Sequence, residues 1–175
     1  MGKEMIDKEL IENAIAEALK TGGDFAEIFV EDKRSSSAYF DDGKVEELTS
    51  GRDRGAGIRV VVGETTGFAH TADLSTQGLL EAARSAAAAA RSNGGASSAN
   101  NLTASSNPSP NPVLVLPETV EKIKKVELLK RADEVARSQS KSITQVSARY
   151  GDSRRRILVA NSDGVYASDD QVRTL

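Results

Sequence analysis

Apolar residues recur every three to four positions along residues 7–20, where Ile11, Ala14, Ile15, Ala18 and Leu19 are spaced by Glu and Lys. That spacing predicts an amphipathic helix. Thr21-Gly22-Gly23 should end it, because glycine takes the left-handed conformation that closes a helix C-terminus. The period then drops to two. In "DFAEIFVED" Ala26, Ile28 and Val30 share one face, while Phe25, Glu27, Phe29 and Glu31 share the other, so a strand with a half-covered second face is expected. "SSSAYF" and "KVEELTS" flank Asp41-Asp42-Gly43, a hairpin turn in which glycine supplies a positive φ. Further on, Ile58, Val60 and Val62 face one way and Arg59 and Val61 the other, and Gly63-Glu64-Thr65-Thr66 turns the chain into "GFAHTADL". Consecutive strands joined by short turns predict an antiparallel meander.

A helical period returns in "LLEAARSAAAAARSN", with Asp73 or Ser75 as its N-cap and Leu79, Leu80, Ala83, Ala87 and Ala90 as its buried stripe. The alanine run favours helix intrinsically, and so smooth a face lets a helix lie close on a sheet. Residues 92–112, "SNGGASSANNLTASSNPSPNP", have almost nothing to bury and read as a flexible Ser/Asn/Pro-rich insertion. After it, "VLVLP" reads as a short strand and "TVEKIKKVELLKRADEVARS" as a helix capped by Thr119, with Ile123, Val126, Leu129, Ala132 and Ala136 inward. "SITQVSARY", "RRRILVAN" and "GVYASDDQVRT" then read as three strands, turning at Gly151-Asp152 and at residues 161–164. The expected fold class is α+β. It comprises an antiparallel meander with packed helices over residues 1–91, the insertion over 92–112, and a helix with antiparallel strands over 113–175. These parts are expected to form one domain, and since the chain stops at Leu175 still in strand pattern, that domain is expected to be a piece of something longer.

Composition removes several classes of function. With 38% apolar and 28% charged residues the chain is ordinary for a water-soluble domain, and with 4% aromatics its core must rest on Val, Ile, Leu and Ala. A net charge of −3 gives no general attraction to nucleic acid or to an anionic membrane, and neither is expected as a partner. No cysteine means no disulfide, no thiolate metal site and no cysteine nucleophile. No apolar run approaches the ~20 residues that span a bilayer, and "MGKEMIDKELIE" is too charged for a signal peptide, so a cytoplasmic location is expected.

The chain's single histidine, His70, is the first candidate for chemistry. A zinc site needs three or four ligands, and His70 has only carboxylates such as Asp73 to call on; no His-Glu-x-x-His pair exists. A Ser-His-Asp arrangement is formally open, but no Gly-x-Ser-x-Gly elbow accompanies it. In the strand alternation His70 shares a face with Phe68 and Ala72, which is the setting of a surface strand histidine. "GRDRGAG" lacks the lysine of a phosphate loop and opens a strand rather than a helix, so its glycines read as a bulge or tight crossover. Arg154-Arg155-Arg156 reads as a solvated cluster, and Asp41-Asp42 and Asp169-Asp170 as turn or solubilising pairs.

At "RDRGAGIRVVVGETTGFAHTADLSTQGLLEAAR" the chain resembles the N-terminal domain of the TldD/PmbA family, metal-dependent peptidases also known as modulators of DNA gyrase. "DFAEIFVED", "KKVELLKRADEVAR" and "ILVANSDGVYASDDQVRT" resemble the family's other strands and helix in the same order, with the details leaning to the TldD side. The resemblance implies a peptidase of well over twice this length. Its zinc would sit on a C-terminal His-Glu-x-x-x-His helix, and no such motif occurs in this sequence. No catalytic residue and no metal ligand can therefore be placed on any position here. What the resemblance implies for this part is scaffold: chamber walls, binding of unfolded peptide in strand form, and contacts with an identical or paralogous subunit. Arg59 and His70 are the candidate substrate-binding residues, with a salt bridge from Arg59 to Glu64 or another acid as the alternative. A stand-alone interaction module, for a partner such as gyrase, and a hydrolase built on His70 with a serine remain as other readings.

Overall fold

The computed structural model describes residues 5–90, 101–106 and 113–175. In chain order the elements are α1 (Lys8–Leu19), β1 (Phe25–Asp41), β2 (Lys44–Val62), β3 (Thr65–Thr71), α2 (Thr76–Ala89), β4 (Thr103–Ser106), a 3-10 turn (Pro117–Thr119), α3 (Lys122–Gln139), β5 (Ser147–Asn161) and β6 (Val165–Thr174). The strands form a six-stranded, mostly antiparallel sheet in the order β3-β2-β1-β5-β6-β4, with β4 parallel to β6. The expected α+β class is the observed one. The chain divides into two compact units built from interleaved segments.

The first unit comprises Met1–Asp32, Arg54–Ser109 and Arg156–Asp169. Alternation dictates its core: Ala26, Ile28 and Val30 of β1, Ile58, Val60 and Val62 of β2, and Leu158 and Ala160 of β5 are buried with the inward stripes of α1 and α2. Each large apolar side chain so buried contributes about 1.5–3 kcal/mol. Asp7 caps α1 by accepting from the Glu9 N–H at 2.9 Å, and Gly22, at φ 103°, follows its end. Ser75 is the N-cap of α2, accepting from the Gly78 N–H at 3.2 Å. The Thr65 hydroxyl donates to the carbonyls of Val62 and Ala90, tying the β2–β3 turn to the end of α2. At the start of β1, Ala26 exchanges two bonds with Ser162: its N–H donates to Ser162 Oγ and its carbonyl accepts from the Ser162 N–H.

The second unit comprises Lys33–Asp53, Pro110–Arg155 and Asp170–Leu175. Its apolar core is small, with Ala38, Phe40 and Leu129 buried and Ala148 and Tyr150 packed against them. Asp42, at φ 44°, and Gly43, at φ 83°, make the turn from β1 to β2. Beside the apolar cluster lies a buried ion pair, Lys125 with Asp152.

Several expectations fail, each for a physical reason. Two of the expected breaks do not occur: β1 continues through Lys33-Arg34, between "DFAEIFVED" and "SSSAYF", and β2 through Gly51, as single strands. Residues 44–54 of β2 are exposed on both faces, so no alternation marks them as strand. Gly51, Gly55 and Gly57 lie inside β2 rather than at a crossover, and a Cβ at Gly55 would sit 2.8 Å from the Thr71 carbonyl oxygen. Gly151-Asp152 is likewise no turn but the middle of β5, where Gly151 exchanges two backbone bonds with Leu175. "VLVLP" forms no strand; Val113, Leu114 and Val115 are exposed and Pro117 begins the 3-10 turn. α3 starts at Lys122 rather than behind a Thr119 cap, and it buries Lys125, Val126, Leu129 and Asp133, leaving Ile123 exposed. Within the stretch expected to be flexible, residues 103–106 form β4 and Leu102 is buried; most of its remainder lies outside the described residues.

Candidate functional site

In the first unit, β3 pairs with β2 in a register that sets Arg59 opposite Phe68 and Gly57 opposite His70. All the side chains on this face point away from the core. Phe68 is 62% exposed, and its ring stacks on that of His70 with centroids 6.3 Å apart and planes 26° from parallel. Gly57 leaves room for this pair, since a Cβ there would lie 3.1 Å from the Phe68 ring. Arg59 reaches across to β1. Its Nε donates to Glu27 Oε1 at 2.8 Å, and its guanidinium lies 5.6 Å from the centroid of the Phe25 ring. The acid partner is thus Glu27 and not Glu64.

His70 does not gather a catalytic set through Asp73. Both oxygens of that carboxylate accept from Ser75, one from its N–H and one from its hydroxyl. Those two bonds hold the Asp73 carboxyl below the usual aspartate value. Among the described residues no group of three or more His, Cys, Asp or Glu side chains is arranged to hold a metal ion. The residues present therefore do not fit the metal of a metallopeptidase, and no step of metal chemistry can be drawn on them.

The second unit carries a groove of about 470 Å³ that the sequence did not announce. Five cationic side chains line it, Arg34, Arg52, Lys122, Lys125 and Arg154, against two acids, Glu118 and Asp152. At its base the Lys125 ammonium donates to Asp152 Oδ2 at 2.6 Å and to Ser36 Oγ at 2.8 Å, and the Ser36 hydroxyl donates to Asp152 Oδ1 at 2.9 Å. Burial alone would raise the Asp152 carboxyl, but hydrogen bonds from Lys125, Ser36 and Tyr150 outweigh it and hold the group below its ordinary value. The Tyr150 phenol is pushed up to about 12, first by burial and then by its bond to the Asp152 carboxylate. On one wall Arg154 donates to Glu118 Oε1 at 2.6 Å and to both oxygens of Asp170. Burial would raise Glu118 as well; the Arg154 hydrogen bond leads the effects that lower it, and the nearby charge of Arg34 adds to them.

Arg154 is thus not the solvated member of a basic cluster that its position in Arg154-Arg155-Arg156 implied. The groove's other contributors come from segments far apart in sequence, and the serines of residues 35–36 carried no signal of their own. Lys125 lies next to the apolar stripe of Ile123, Val126 and Leu129 rather than in it, so the spacing carried no signal for its burial.

Two protein-family models match the chain: PmbA/TldA metallopeptidase domain 1 over residues 26–90 and the PmbA/TldA metallopeptidase central domain over residues 116–175. A metalloprotease TldD homolog of Haemophilus influenzae is 33% identical over 147 residues, which is 83% of this chain and 30% of that protein. Another, from Buchnera aphidicola subsp. Schizaphis graminum, is 26% identical over 146 residues, again 83% of this chain and 30% of that one. The chain therefore spans about 30% of the length of the curated relatives it matches. Among solved structures, TldE of Thermococcus kodakarensis superposes with a TM-score of 0.72 at 20% identity, over 94% of this chain and 37% of its own. A gyrase-modulator structure from Bacteroides thetaiotaomicron does so with 0.70 at 20% identity, over 95% of this chain and 39% of its own. At these identities the two structures speak for the fold alone.

Proposed function

This chain belongs to the PmbA/TldD metallopeptidase family, and from that premise we propose that it is a peptide-handling part of a TldD-type peptidase. It holds unfolded peptide in extended form along β3, while the zinc chemistry belongs to residues this sequence does not contain. The observation that carries the reading is the place of β3 at the end of the sheet order, paired with β2 on one side. A terminal strand presents main-chain N–H and C=O groups that an extended peptide can pair with, whatever its side chains. The exposed face beside that edge offers Arg59 for a peptide carbonyl or carboxylate, and the His70–Phe68 ring pair for an apolar or aromatic side chain. Terminal strands also need protection from unwanted pairing, and contact with an identical or paralogous subunit would supply it when no peptide is bound.

The test is the affinity of the chain for a labelled, uncharged unfolded peptide, followed by fluorescence anisotropy. Arg59→Ala removes one charge-assisted contact worth about 1.5–3 kcal/mol at best and less on an exposed face, so a loss of about threefold to tenfold is expected. An unchanged affinity would remove Arg59 from the peptide site.

A further inference from the structure

The groove of the second unit is lined by more cations than acids. Lys125 is committed to Asp152, and Arg154 to Glu118 and Asp170. Arg34 makes no close ion pair among the described residues, its charge reaching Glu118 only through space, and the Lys122 ammonium has the Ser50 hydroxyl, at 3.1 Å, as its hydrogen-bond partner there. A helix end adds to the same field. α3, 18 residues long, begins at Lys122 with Glu121 as N-cap and no side-chain capping bond, so first-turn N–H groups carry their partial positive charge beside the groove wall formed by Val120 and Lys122. The serines at positions 35 and 50 add hydroxyl donors.

We propose that this groove binds a carboxylate carried by a peptide, either its C-terminal carboxylate or an Asp or Glu side chain, a reading that rests on the chain handling peptide. Arg34 supplies the planar fork that matches a carboxylate, Lys122 the second charge, and Ser35 and Ser50 the remaining donors. The cavity exceeds a small ion and accommodates a side chain with its adjoining backbone, with Pro117 and Val120 as apolar contacts. Two unpaired cations suit one carboxylate. No aromatic side chain lines the groove to stack a base, which separates it from a nucleotide site. Because the surplus comes from exposed side chains at the rim, attraction should weaken with added salt.

The test compares three peptides of otherwise identical, uncharged sequence. One has both ends blocked, one has a free C-terminal carboxylate, and one is blocked but carries a single internal Glu. Affinities are measured for the chain, for Arg34→Ala/Lys122→Ala, and for Arg34→Glu. Both substituted residues are exposed and outside the core, so the variants should fold, and circular dichroism checks that they do. At least one carboxylate peptide should bind about tenfold more tightly than the blocked one. That gain should vanish in the double variant and reverse in Arg34→Glu. Blocked-peptide binding should be the same in all three proteins. No gain from either carboxylate, or a gain that survives the double variant, overturns the groove proposal and leaves the β3 reading standing. A carboxylate gain without any blocked-peptide binding keeps the groove and removes β3; no binding of any peptide removes both.

Discussion

Lys125 and Asp152 carry opposite charges in a place where either alone would be costly. Their side chains are 6% and 4% exposed, and the pair is completed by Ser36 and Tyr150. Taking one partner away leaves an uncompensated buried charge, whereas replacing both by apolar groups of similar size restores a dry contact. Lys125→Ala should therefore destabilise the chain by about 3–5 kcal/mol in urea unfolding, and Lys125→Met/Asp152→Leu should regain most of that loss. A single variant that costs less than about 1 kcal/mol would mean that the pair remains hydrated in solution. This pair also shows where residue-level reading of the sequence reaches its end. Lysine is almost never fully buried unless paired, so a periodicity argument assigns Ile123 to the core and Lys125 to water. The partner that reverses this choice lies 27 residues further on. Arg59 is the opposite case: its outward face follows directly from alternation with Ile58 and Val60, and only the identity of its acid, Glu27, needed the structure.

At the scale of elements, α2 lies against β3 at a distance that only small residues allow. A Cβ on Gly67 would fall 2.0 Å from the Ala86 carbonyl oxygen and 2.5 Å from the Ala90 backbone nitrogen. Both obstacles are backbone, so the helix itself would have to move. Gly67→Ala should cost about 1–3 kcal/mol or more, seen as a lowered Tm. Gly151→Ala is the control: a Cβ there meets nothing within 4 Å, and its effect should stay within about 0.5 kcal/mol. Equal Tm values for the two variants would contradict the close packing of α2 on β3. This contact was half legible, because the alanine run announced a smooth helix face while nothing marked Gly67 as its counterpart. The helices α1 and α2 and the apolar halves of β1 and β2 were legible because one face is dry and one wet. The other halves were not. Residues 44–54 are wet on both faces, and a strand without a dry face leaves no period to read.

For the whole molecule, the sequence order of the segments and their grouping in space part company. The two units draw on alternating stretches of chain, and β1, β2, β5 and β6 each contribute residues to both. A reading that divides the chain at the Ser/Asn/Pro-rich stretch cannot recover this, since strand pairing is set by contacts far apart along the chain. The net charge of −3 conceals a cationic groove in the same way, because composition averages over surfaces that a ligand meets one at a time. The family was legible without any of this, from motif order along the strands and α2. What those motifs could not locate is a surface for the peptide that the proposed function requires. The most direct test of the claim that it does so at β3 is hydrogen exchange of the chain with and without an uncharged unfolded peptide. The account predicts slowed exchange concentrated in Thr65–Thr71, with the buried strands β1 and β5 unchanged. Exchange in Thr65–Thr71 that is indifferent to saturating peptide would contradict it.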